Sequence, residues 1–173
     1  MMTSTHTLPR TGQGRPATGR GAVLLTATAA ITFFTTGAGM LEGHAVYPSW
    51  IDLANYADFA GYHGRYGVAL LPWLPLPLAI ATVLNIVLVF RRPNVIPRAW
   101  PVATLLIQLV VIAVTIAVAI PIQGQLATPG HSPAEIIALV HRLQVVGWWR
   151  DVPGLAVAFG FLVMLHRAIR GRS

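Results

Sequence analysis

The stretch VALLPWLPLPLAIATVLNIVLVF, residues 68–90, carries no charged side chain and ends on the pair Arg91-Arg92. A helix needs about 20 mostly apolar residues to cross the hydrocarbon of a bilayer, and this run is long enough. Three more runs read the same way: Ala22 to Met40, Trp100 to Ile120 and the shorter Val152 to Ile169. The expected fold is all-α, a four-transmembrane-helix bundle. Composition agrees, since 55% of the 173 residues are hydrophobic and 10% are charged. A soluble domain carries about 25% charged residues. Residues 21–173 therefore read as a single membrane domain with the lipid bilayer as its partner. Residues 1–20, rich in Thr, Gly, Pro and Arg, read as a disordered cytoplasmic tail, and the run from Ala22 as a retained span, not a cleaved signal.

The net charge of +7 comes from 12 basic residues, all arginine. They flank apolar runs as short groups and form no continuous patch, which argues against nucleic acid as a partner. Arg10, Arg15 and Arg20 precede the first span, Arg91, Arg92 and Arg98 join the second to the third, and Arg167, Arg170 and Arg172 follow the fourth. The positive-inside rule makes these regions cytoplasmic. The expectation is a multi-pass protein of the cell membrane with both termini in the cytoplasm. The chain has no cysteine, which excludes disulfides, thiolate metal sites and cysteine nucleophiles.

The opposite side collects the chemistry. Glu42, Asp52, Asp58, Glu135 and Asp151 all fall there, with every tyrosine, with His44, His63, His131 and His141, and with Arg65, Arg142 and Arg150. Two short outer-side helices are predicted. Ser49-x-x-Asp52 and Ser132-x-x-Glu135 both fit the capping box, in which a serine and an acid three residues on satisfy each other's backbone N–H. The first helix would run from Trp50 to about Tyr66, with Asp52, Tyr56, Phe59 and His63 on one face and Asp58, Tyr62 and Arg65 beside it. The second would run from Pro133 to about Trp149, with Asp151 capping the fourth span. Within the membrane, Asn85 and Gln108 are expected to hydrogen-bond between helices. The first-span threonines would bond their own backbone, and Gly37 and Gly39 would let helices approach closely. Pro72, Pro75 and Pro77 predict a kink or pocket wall in the second span.

No HExxH, GxSxG, P-loop or dinucleotide-binding glycine pattern is present, and no metal ligands are assigned. A metal-free acid–base site suits the residues better, with no cofactor required. The candidate catalytic residues are His63, Asp52, Asp58, Tyr62 and His141. His63 would move a proton near neutral pH, with Asp52 or Asp58 fixing its tautomer. Arg65, Arg142 and Arg150 would bind a small anion. Gln123 and Trp149 complete the candidate substrate-binding set, and Trp148 and Trp149 would either exclude water or anchor the membrane interface.

Tyr47-Pro48-x-Trp50, Phe59-x-x-Tyr62-His63, Pro121-x-Gln123 and Trp149-Arg150 together resemble a widespread group of small four-helix bacterial membrane proteins. The resemblance covers roughly residues 40 to 155. Most members of that group have no assigned function, and two activities are associated with proteins of this general build. The first is that of the transmembrane diazotising enzymes of alazopeptin biosynthesis, which make a diazo group from an amine and nitrite. The second is that of the anthrone oxygenase-like proteins, which oxidise aromatic polyketides. Diazotisation needs an acid, a base and an anion site, and is the leading expectation. Oxygenation needs a large apolar pocket beside one His or Trp. A third class is a non-enzymatic membrane partner or permease component, which would require a homo-oligomer or a second chain.

Overall fold

A computed structural model describes residues 19–171. The expected tail falls almost wholly outside them, although Gly19 and Arg20 already belong to the first helix. Four helices are long and apolar enough to cross a membrane: α1 (Gly19–Asp52), α2 (Phe59–Arg91), α3 (Ala99–Leu126) and α4 (Pro133–Arg170). No strand occurs among the described residues. Helix α1 packs on α2 and α4, and α3 packs on α4 and α2, so the helices form a closed ring of neighbours. Apolar side chains such as Val83, Phe90, Leu106 and Phe159 stay on the outside, as expected of a surface solvated by lipid.

Two buried clusters hold the bundle. Leu25, Leu88, Ile96, Val157, Phe161 and Met164 fill the arginine end. Tyr47, Trp50, Phe59, Leu126, Val140 and Leu143 fill the other. Small residues set the tightest contacts. A Cβ added at Gly160 would come within 2.6 Å of Thr104 Cγ2, and one at Gly21 within 3.2 Å of the Arg91 carbonyl oxygen. Gly37 and Gly39 do not have this role, because a Cβ at either meets nothing within 4 Å. Between the clusters, Asn85 Nδ2 donates to Gln108 Oε1 at 3.0 Å and Gln108 Nε2 donates to Thr82 Oγ1 at 3.0 Å, which ties α2 to α3.

The two outer helices are not separate elements. The second is the first half of α4, which runs unbroken through Pro153. Its expected start is present: Glu135 N–H donates to Ser132 Oγ at 3.4 Å, and Ser132 N–H donates to Glu135 Oε2 at 2.7 Å. Asp151 is therefore inside a helix and caps nothing. The first is split, since α1 continues to Asp52, the chain turns at 53–58, and α2 begins at Phe59. Ser49 sits within α1 and donates to the Val46 carbonyl at 2.7 Å, so its capping box does not form.

Pro48 fails to end α1 for a physical reason. A proline ring clashes with the carbonyl four residues back. Just before it, residues Glu42–Val46 form a π-helix in which Tyr47 N–H reaches the Glu42 carbonyl, a wider turn that relieves the clash. Helix α3 repeats the device: Thr115–Ala119 is π-helical, Ile120 N–H reaches the Thr115 carbonyl, and Pro121 follows. Helix α2 takes the other course. It breaks at 71–74 into Phe59–Leu70 and Pro75–Arg91, where Pro72, Pro75 and Pro77 cluster.

Candidate functional site

These three irregularities surround one cavity of about 720 Å³. Its body is apolar, lined by Leu71, Leu74, Leu78, Val111, Ile112 and Ile116. Its polar end lies away from the arginine end and holds Glu42, Tyr47, His63, Gln123, Arg150 and Asp151. The π-turn of α1 delivers Glu42 and Tyr47, that of α3 delivers Gln123, and the upper half of α2 delivers His63. Ligand pockets of 300–1,000 Å³ with a few placed polar groups are typical of small-molecule sites.

The polar groups are nearly sealed. Glu42, Tyr47, His63, Arg150 and Asp151 are all buried. Arg150 Nη2 faces Glu42 Oε2 at 3.9 Å. Gln123 Nε2 donates to the Tyr47 hydroxyl at 3.2 Å, and the His63 ring faces Gln123. His44 Nε2 lies 3.0 Å from Asp151 Oδ2, and its ring meets Trp148 edge-on at 4.9 Å. His63 stands in an aromatic cage, with its ring 4.5 Å from Trp50, 5.9 Å from Phe59 and 6.3 Å from Tyr66. His63 Nδ1 and Arg150 Nε have no hydrogen-bond partner within the protein. Burying ionisable groups is expensive, and a cavity that gathers several of them is a candidate functional site. Among the described residues, no three His, Asp or Glu side chains converge as a metal site would need.

Of the candidate residues, His63, Gln123 and Arg150 line the cavity. The others do not. Asp52 is exposed at the end of α1, because the turn at 53–58 breaks the face it was expected to share with His63. Asp58 and Arg65 pair with each other at 3.2 Å on the exposed surface. Tyr62 packs against the Tyr47–Trp50 cluster outside the cavity. His141 and Arg142 are exposed, and His141 Nδ1 lies 3.1 Å from Gln144 Oε1. Trp149 is 68% exposed. Glu42, Tyr47 and Asp151 also line the polar end, although they are not among the candidate site residues of the sequence. The available signal was position: Glu42 directly follows the first apolar run, and Asp151 directly precedes the fourth.

No family model, curated protein or solved structure matches the chain.

Proposed function

We propose that this protein is a membrane enzyme that binds a lipophilic small molecule in the cavity and transfers protons to and from it through His63. The observation that carries this reading is the large apolar cavity whose polar end is lined by one buried, aromatic-caged histidine. That arrangement suits oxygenation of an anthrone-like aromatic. A neutral imidazole removes the acidic CH proton of the substrate. The resulting carbanion gives its electrons to molecular oxygen and forms a carbon hydroperoxide. Loss of water leaves a quinone carbonyl, so one substrate and one O₂ give one quinone and one H₂O. Tyr47 and Gln123 would hydrogen-bond the substrate oxygen that gathers negative charge, the usual means of stabilising such a carbanion.

The test is quinone formation from 1,8-dihydroxyanthrone by membranes under ¹⁸O₂. Enzymatic label in one carbonyl at one O₂ per substrate supports the proposal. A rate equal to that of membranes lacking the protein removes it.

Nitrite-dependent diazotisation is the second reading, favoured by Arg150, a buried guanidinium that lines the cavity with its Nη2 3.9 Å from Glu42 Oε2. Arg150 would hold nitrite while an acid donates the protons. A primary amine and nitrous acid then give a diazo group and two waters. Incorporation of ¹⁵N from nitrite into an amine product would place this reading first. In both readings the termini are cytoplasmic and the polar end of the cavity faces the other side, in keeping with the arginine distribution.

A further inference from the structure

We infer that the cavity opens sideways into the bilayer, through a window between α2 and α3, and takes its substrate from the lipid and not from water. This deepens the proposed function by naming the source and class of the substrate, and it rests on the cavity being the substrate site.

The exposure of the lining residues locates the opening. On α2, Val68 is 69% and Leu71 53% exposed, and on α3, Ile116 is 60% and Ile120 56% exposed, yet all four line the cavity. On α1 and α4 the lining residues Thr32, Thr35 and Val157 are buried. Helices α1 and α4 are thus the back wall, and α2 and α3 are the two jambs. The window is bounded at both ends. Toward the arginine end, the Asn85–Gln108–Thr82 hydrogen bonds clamp α2 to α3. At the other end, where Phe59–Leu70 packs on Ile120–Leu126, Val68 and Ile120 form its outer edge. At the level between them the π-turn Thr115–Ala119 packs on α4, while α2 is broken at 71–74.

Depth decides what the window faces. At 1.5 Å per residue, Pro75, two residues after Trp73, lies about 24 Å from Arg91, and Trp149 lies about 27 Å from Arg167. Trp73, Trp148 and Trp149 are all exposed. Exposed tryptophans at one level, set against arginines about 30 Å away, mark the two interfaces of a bilayer. By the same rise, the exposed lining residues Ala79 and Pro75 lie about 18 Å and 24 Å from Arg91, inside the tryptophan level, and Ile116 lies about 27 Å from Arg98, at that level, with Leu71, Ile120 and Val68 farther out. The window therefore runs from the headgroup level, where Glu42, His63 and Arg150 lie, down into the acyl chains beside Pro75 and Ala79. The occupant this fits is amphipathic, with an apolar body in the cavity and a polar group at its headgroup end.

The absence of native cysteine makes the test clean. Gly39 lines the cavity, and a Cβ there meets nothing within 4 Å. The Gly39→Cys protein in lipid nanodiscs, where both aqueous faces are open, is labelled with neutral N-benzylmaleimide or with a disulfonated maleimide. Neutral labelling is expected to be about tenfold faster than charged labelling, because the charged reagent must shed its water. Adding Gly67→Trp on α2 or Gly124→Trp on α3 should slow neutral labelling severalfold. Both glycines line the cavity, and a Cβ at either meets nothing within 4 Å. Gly37→Trp, equally unobstructed but outside the cavity, should leave the rate unchanged. Charged labelling as fast as neutral labelling overturns the inference, and so does unchanged neutral labelling in both jamb variants. Labelling needs no turnover, so a working window with no quinone or diazo product would strike the proposed chemistry alone.

Discussion

Glu42 of α1 and Arg150 of α4 face each other at 3.9 Å, each at least nine-tenths removed from solvent, at the polar end of the cavity. The two lie far apart in sequence and meet because α1 runs on past its first apolar run while α4 starts well before its last. Their separation sits at the long edge of an ion pair and leaves room for a ligand group to approach Arg150.

Breaking this pair should be costly. Removing one member of a buried ion pair leaves the other uncompensated and costs about 3–5 kcal/mol. Glu42→Gln and Arg150→Met should each lower the unfolding midpoint in detergent markedly, and the double variant should lose less than the sum. Additive losses would show that the two charges do not interact.

The amide clamp between α2 and α3 gives a milder expectation. Asn85→Leu removes the donor to Gln108. Interhelical hydrogen bonds of this kind contribute about 0.6–2 kcal/mol in membrane proteins. Thermal unfolding should register a small destabilisation, and an unchanged or raised midpoint would contradict the clamp.

Ser132→Ala tests the start of α4. It removes the side-chain acceptor for Glu135 N–H, and losing an N-cap costs about 1 kcal/mol. Hydrogen exchange should speed up at Glu135 and Ile136 but not near Phe161.

Much of this architecture was legible in the sequence. The spans follow from apolar length, and the break in α2 follows from Pro72, Pro75 and Pro77. The hydrogen bond between the side-chain amides of Asn85 and Gln108 follows from the scarcity of other partners in lipid. What was not legible came from a local rule with a local escape. Pro48 and Ser49 read as a helix start, but a π-turn before Pro48 lets α1 continue, and so Asp52 lost its place beside His63. The same turn aims Glu42 and Tyr47 into the cavity. Pairings such as His44 with Asp151 join α1 to α4, and periodicity within either segment cannot reveal them.

Orientation can be read by side-specific labelling. Single cysteines at Asn55, in the turn after α1, and at Asn94, in the link after α2, are to be treated in intact cells with a membrane-impermeant maleimide. Asn55→Cys should label and Asn94→Cys should label only after lysis. The reverse pattern would put the termini and the arginine end outside.

The central claim is that His63 moves the proton at the polar end of the cavity. Its most direct test is the turnover of His63→Ala in membranes, at a protein level and unfolding midpoint matched to the native chain, with His63→Gln beside it to preserve bulk. Loss of a general base lowers the rate by about 10²–10⁴, and both variants are predicted to show that loss. Native rates in either variant would contradict the account.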